Sequence, residues 1–238
     1  MQDLYIGDIG KGFPLVLVHG FLGSSDMWQP QINFFKKDFR VITPDLPGFG
    51  KSNKLKSLSS IQSIAKLLLE NLQKKRINKF HLLGHSMGGM IAQVLAANFP
   101  NRIKTLTSVM STTFAPHLPP PSSAAEDNLR DLAGGEAEAS REELMRQRGF
   151  HPESMERHLM AIFKTGDRTQ EVQTITAPTL VLHGSEDTLI PPAHGVHIAE
   201  QIAGAKFVLI DGMGHNLPES YHDQVVALMT DHIVAYDQ

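Results

Sequence analysis

An open, mostly parallel α/β sheet covered by helices on both faces is the fold class this sequence predicts, on three observations. First, six apolar runs of strand length recur: "LVLVHG" at 15–20, "RVITPD" at 40–45, "KFHLLG" at 79–84, "TLTSVM" at 105–110, "TLVLHG" at 179–184 and "KFVLID" at 206–211. Their near-continuous Val, Ile and Leu, with little alternation, suit strands buried on both faces, as in a parallel sheet. Second, apolar residues at helical spacing fill the gaps, at 59–75, 90–99, 191–203 and 219–234. Right-handed crossovers would put these helices on both sides of the sheet. Third, the run at 79–84 passes through "GHSMGG" directly into the helix that follows, leaving a serine at the seam.

Composition narrows the class. With 238 residues, 41% apolar and 20% charged, the chain is expected to form one domain carrying an insertion. No stretch reaches the roughly 18 consecutive apolar residues of a membrane span, and "MQDLYIGDIGKG" lacks the basic-then-apolar layout of a signal peptide. A soluble, cytoplasmic protein is therefore expected. The chain has no cysteine, which excludes disulfides, thiolate metal sites and a cysteine nucleophile. A net charge of −3 is far from the basic footprint that phosphate binding needs, so nucleic acid is not an expected partner.

The strand–helix alternation stops between the fourth and fifth runs. Residues 112–170 contain "HLPPPSS", "GGEAEAS" and the weakly amphipathic "PESMERHLMAIF", in which Met155, Leu159 and Ile162 share a helical face. This reads as an inserted helical lid between core segments 1–111 and 171–238. Ten acidic against seven basic residues give the insertion −3, while the rest of the chain carries fifteen of each sign. Lysine usage shifts as well: eleven of thirteen lysines lie at or before Lys104, and six of nine arginines lie after it. Different surface demands account for this, as does a join of two parent sequences near 105–115.

The serine seam carries the chemistry. A strand that turns straight into a helix strains its central residue and brings neighbouring chains close, and Gly84 and Gly88 remove the side chains that would obstruct this. Ser86 then projects its hydroxyl above the C-terminal edge of the sheet, where open α/β folds bind ligands. A serine hydroxyl keeps its proton at neutral pH, so it needs a base within hydrogen-bond reach and an acid to orient that base. "TLVLHGSEDTLIPP" places Asp187 after one later strand, and "KFVLIDGMGHNLP" places His215 after the next. Glu186 and Asp211 compete for the acid's place, although Asp211 more simply ends its strand.

The segments "VHGFLGSSDMW", "DLPGFGKS", "GHSMGG", "LVLHGSEDTLIPP" and "DGMGH" resemble the successive signatures of the α/β-hydrolase superfamily, in its order across nearly the whole chain. The resemblance implies an α/β-hydrolase fold, a triad running Ser86, Asp187, His215 in chain order, and a lid after the sixth strand. "GGMIAQVLA", "SVMSTT", "GDRT" and "DGMGHNLP" further resemble a bacterial esterase subgroup that includes aclacinomycin methylesterase. The compact "PPPSSAAEDNLRDLAGGEAEAS" departs from the longer lids of that subgroup.

The expected function is hydrolysis of small or short-to-medium carboxylic esters through an acyl-enzyme. The oxyanion donors are the backbone N–H groups of Phe21, in "HGF", and Met87; mutating Phe21 alters pocket shape more than chemistry. Leu22, Leu129, Met155, Leu159 and Phe163 are candidates for an acyl or alcohol pocket, or equally for the lid's own small core. Neither metal nor organic cofactor is implied: His183, His194 and His197 lack a further ligand at diagnostic spacing. "DLPGFGKS" lacks the spacing of a phosphate loop and reads as a turn walling the site. Trp28 packs under the oxyanion loop in this reading, and Met90 and Gln93 are buried helix residues. Rival functions on the same triad are C–C hydrolysis of ring-fission diketones, hydrolysis of a carrier-protein methyl ester, and slow-turnover sensing of a small ligand. The lid's −3 counts against an acidic carrier.

Overall fold

The computed structural model describes residues 2–114 and 151–236. Seven strands form one sheet: β1 (Ile6–Ile9), β2 (Phe13–Val18), β3 (Phe39–Pro44), β4 (Phe80–His85), β5 (Ile103–Val109), β6 (Thr179–Gly184) and β7 (Lys206–Ile210). Their order is β1-β3-β2-β4-β5-β6-β7. All pairings are parallel except β1 with β3. The helices are α1 (Gln29–Phe35), α2 (Ile61–Lys74), α3 (Met87–Asn98), α4 (Pro152–Phe163), α5 (Thr169–Val172), α6 (Ala193–Gln201) and α7 (His222–Val234).

Period-2 alternation splits the strand side chains between two cores. Val16, Val18, Leu82 and Val181 face α2, α3 and α6, packing with Ile64, Leu68, Ile91 and Ile198. Leu15, Leu17, Leu83 and Leu182 face α1 and α7, packing with Phe35, Val225, Met229 and Ile233. Trp28 belongs to this second core and is fully buried. Both faces of the central strands are covered, which explains why their sequences show continuous apolar runs rather than alternation, whereas the edge strand β7 leaves Leu209 exposed.

Sequence reading and structure differ at several places. It misses β1, a four-residue edge strand, and α1, whose seven residues "QPQINFF" show little apolar period. Helix α3 begins at Met87, three residues ahead of its expected start. The stretch expected as a lid follows β5, the fifth described strand, rather than a sixth. Residues 115–150, including pocket candidate Leu129, lie outside the described residues. In α4 the inward line is Ser154, His158 and Ala161, one residue ahead of the expected Met155, Leu159 and Ile162, which are half-buried. Among the described residues no helix is long and apolar enough to cross a membrane.

The strand order places the site. From β2 the chain moves to β3 on one side, then returns through α2 to β4 on the other. The C-terminal ends of β2 and β4 are consequently neighbours, with Val18 opposite Gly84, at the topological switch point where such sheets bind ligands.

Candidate active site

Ser86 sits between β4 and α3 with φ 54° and ψ −119°, a left-handed backbone that a side chain disfavours. Close approach on both sides of the turn explains its glycines. A Cβ at Gly84 would lie 2.1 Å from the Gly88 carbonyl oxygen, and one at Gly88 would lie 2.2 Å from that of Val18. The turn is fastened by Ser86 N–H to the Val109 carbonyl at 2.8 Å, and by Gly89 N–H and the Ser111 hydroxyl to the Ser86 carbonyl, each at 2.9 Å.

The structure brings together three of the sequence candidates. His215, fully buried in the loop after β7, has Nε2 3.0 Å from Ser86 Oγ. Its Nδ1 is 2.8 Å from Asp187 Oδ2, in the loop after β6. A carboxylate only accepts, so Nδ1 carries the hydrogen and Nε2 is left to receive the serine proton. Asp187 Oδ1 accepts the N–H groups of Leu189 at 3.0 Å and Ile190 at 2.8 Å. Burial alone would raise the Asp187 pKa; the charge of His215, hydrogen bonds from His183 and His215, and the Ile190 N–H outweigh it and hold the carboxyl well below the usual range. The competing acids stand apart: Glu186 is exposed, and Asp211 accepts from Ser185 Oγ at 3.3 Å.

The loop after β2 lies against the elbow, since a Cβ on Gly20 would meet Ser86 Cβ at 3.2 Å. His19 shapes this loop: its Nε2 accepts the Leu46 N–H at 2.9 Å, and its Nδ1–H donates to the Gly20 carbonyl at 2.8 Å. Phe21 follows Gly20 in this loop and packs on Phe49. Met87 is the first residue of α3, so its N–H has no helical acceptor and lies at the positive end of the helix. Asp45 braces the neighbouring "DLPGFGKS" turn, accepting Ser25 N–H at 2.5 Å and Lys51 N–H at 2.8 Å.

Of the pocket candidates, Leu22 packs on Phe49, with Phe21 and Met155 against the pair. Leu159 is half-buried. Phe163 is 54% exposed: five residues past inward-facing His158, at about 100° per residue, it turns to the far side of α4. The three histidines weighed for a metal diverge. His183 Nε2–H donates to the Ile190 carbonyl at 2.8 Å, His194 Nδ1 meets the Thr112 hydroxyl at 2.8 Å, and His197 Nε2 meets that of Thr169 at 3.0 Å.

Three further side chains support the site in roles that no sequence motif indicates. His183 Nε2 also lies 3.3 Å from Asp187 Oδ2, beneath the acid. His158 stacks on Phe49, ring centroids 4.5 Å apart, and burial pushes its imidazole down to about 3. Arg168, in "GDRT", is 3% exposed and bonded to α3.

A parallel-centred sheet with a strained serine at its switch point, facing an imidazole and a carboxylate from later strands, defines a class of α/β enzyme. Comparison with known proteins agrees: the model of the alpha/beta hydrolase fold family matches residues 14–134. The chain belongs to the α/β-hydrolase family, and hydrolysis is the chemistry that this membership carries. The pimeloyl-[acyl-carrier protein] methyl ester esterase of Legionella pneumophila (strain Corby) is 28% identical over 247 residues, covering 98% of this chain and all of that protein. A thermophilic esterase from Thermogutta terrifontis superposes with a TM-score of 0.80 at 26% identity, over 99% of this chain and 94% of that one. The enol-lactonase from Burkholderia xenovorans LB400 shares the fold, with a TM-score of 0.80 at 23% identity, over 97% and 96% of the two chains.

Proposed function

We propose that the protein is a serine hydrolase of small or short-to-medium carboxylic esters. The observation that carries this reading is the unbroken line Ser86 Oγ, His215 Nε2 at 3.0 Å, His215 Nδ1, Asp187 Oδ2 at 2.8 Å, with Ser86 held on strained backbone. His215 takes the Ser86 proton as Oγ attacks the ester carbonyl, and Asp187 stabilises the imidazolium that forms. The N–H groups of Phe21 and Met87 receive the oxyanion, each worth about 3–4 kcal/mol in the transition state. His215 then protonates the departing alcohol. Water, deprotonated by the same imidazole, attacks the acyl-enzyme; collapse of the second tetrahedral intermediate releases the acid and returns the proton to Ser86. Every step uses side chains and main-chain donors of this chain.

The pocket lies between the Phe21–Leu22 turn, Phe49 and α4, where Met155 and Leu159 bound the acyl or alcohol group. A short-chain p-nitrophenyl ester tests the reading. Wild type is expected to turn it over with a burst of one equivalent of nitrophenol, and Ser86→Ala to lose at least about a thousandfold in kcat. Equal rates in the two proteins would remove the proposal.

Hydrolysis of a methyl ester on a carrier-borne acyl chain is the second reading, favoured by the full-length likeness to the Legionella enzyme. A groove lined by Lys54, Lys56, His151 and Arg157, with Glu153 among them, lies beside α4 and would suit an acidic carrier. The −3 of residues 112–170 weighs against it. Faster turnover of a carrier-bound methyl ester than of the free methyl ester would favour this reading over the first.

A further inference from the structure

Arg168 is a buried cation that the mechanism above does not use. It lies where the chain returns from the insertion, 3% exposed, with Glu171 Oε2 3.9 Å from its Nη1. Burial pushes its pKa down to about 10, against the pull of Glu171 and Asp167, so it stays charged at neutral pH. Removing a charge from water is strongly opposed. A methionine of similar length would fill the space without that opposition, so the partners of the guanidinium are informative.

Those partners form a chain of hydrogen bonds whose sense is fixed at each link. Arg168 Nη2 can only donate, so the Gln93 atom 2.9 Å away is the carbonyl Oε1. The Gln93 amide nitrogen therefore points the other way, toward Ser108 Oγ at 3.1 Å and Ser111 Oγ at 3.5 Å. The Ser86 carbonyl can only accept, so the Ser111 hydroxyl spends its hydrogen on it, at 2.9 Å. The Ser86 carbonyl and the Met87 N–H belong to one planar trans peptide, so fixing the first fixes the second, on the opposite side. Aligned hydrogen bonds polarise one another, and an amide whose oxygen is bonded becomes a stronger donor at its nitrogen. Arg168 also grips α3 at the Met90 carbonyl, 3.3 Å away, and the segment after β5 at the Thr112 carbonyl, 2.7 Å away.

We infer that Arg168 is a positioning residue for the oxyanion hole, acting through Gln93, Ser111 and the Ser86–Met87 peptide to orient and polarise the Met87 N–H. This rests on Ser86 being the nucleophile. Because the relay acts on developing charge, it bears on kcat and little on substrate binding. Weakening it loses less than the 10²–10³-fold that follows removal of a whole oxyanion donor, so about tenfold is expected.

The test uses Ser111→Ala, which deletes one hydroxyl, Arg168→Lys, which keeps the charge but loses the fork, and the double variant. Each is assayed for ester turnover and for its adduct with an alkyl trifluoromethyl ketone, to which Ser86 Oγ adds to form a hemiketal. The ionisation of that hemiketal, followed by fluorine NMR, reports the oxyanion hole directly. Each single variant is expected to lose about tenfold in kcat with KM little changed, and its hemiketal to ionise about one pH unit higher than wild type, the same tenfold. The double variant is expected to lose no more than the worse single, because one relay can be broken only once. Additive losses, or a hemiketal titration indistinguishable from wild type in folded variants, overturn the inference. A purely structural role would lower the melting temperature and leave the titration in place. Failure of wild type itself to form the adduct would instead overturn the nucleophile assignment.

Discussion

The imidazole of His85 donates its Nε2–H to the backbone carbonyl of His215 across 2.8 Å, tying the residue before Ser86 to the loop that carries His215. The two rings lie 5.2 Å apart. Burial, reinforced by the neighbouring His215, pushes His85 down to about 3, so it remains neutral across the working range of the enzyme. It is thus a fixed strut for the loop that carries His215.

Replacing that strut should loosen the base. His85→Phe keeps the ring's bulk but leaves the His215 carbonyl buried without this donor, at an expected loss of about 1–3 kcal/mol of stability in urea unfolding. On the proposed mechanism, kcat should fall while KM changes little. An unaltered kcat in a folded variant would show that the loop keeps His215 in place without this bond.

Ser86→Gly and Ser86→Ala both lack the hydroxyl and should be equally inactive. They should differ in stability, because φ 54° suits glycine and strains alanine. The glycine variant is expected to be more stable than the alanine variant by about 1 kcal/mol, read from paired denaturation curves. A less stable glycine variant would mean that the turn is not strained as its dihedrals indicate.

Asp187 links stability to acid. Its folded pKa lies below its unfolded value, so its contribution is complete above the unfolded value, about 3.9, and is lost as pH falls through and below it. Asp187→Asn should therefore flatten the fall in unfolding free energy between about pH 5 and pH 2. The same variant presents an amide in place of an acceptor-only carboxylate at His215 Nδ1, favouring the wrong tautomer, and should lose about 10⁴-fold in kcat. A wild-type-like acid limb in the unfolding profile would contradict the first expectation, and retained turnover the second.

Met155 and Phe163 form a contrasting pair on α4. Met155 packs toward Leu22 and Phe49, whereas Phe163 is 54% exposed. On the proposed pocket, Met155→Ala should shift the preferred acyl length of a p-nitrophenyl ester series, and Phe163→Ala should leave the series unchanged. A reversed outcome would relocate the pocket to the outer side of the helix.

What the sequence discloses here follows from the range of the interactions involved. β2, β4 and β6 were readable because burial on both faces demands unbroken Val and Leu, a local signal. β1 was not, being a short edge strand whose pairing with β3 depends on residues more than thirty positions away. The positions of Ser86, Asp187 and His215 were readable because each follows a strand, in a loop with its own turn chemistry. Ser111, His183 and His158 left no such mark: they touch the Ser86 carbonyl, the Asp187 carboxylate and the Phe49 ring through contacts that appear only once the strands are aligned. Buried polarity also hid the true inner face of α4, since Ser154 and His158 interrupt the apolar period used to find it.

The clasp that joins Arg168 to Thr112 and Thr113 has an evolutionary corollary. Arg168 N–H meets the Thr113 carbonyl at 2.9 Å and Nη2 meets that of Thr112 at 2.7 Å, so the outgoing and returning strands of chain are stapled side by side. With its ends already joined, the excursion between them can lengthen at little entropic penalty, about 0.6 kcal/mol for each doubling. On the proposed function, the segment between them can vary, and the range of accepted esters with it, while Ser86, His215 and Asp187 stay put.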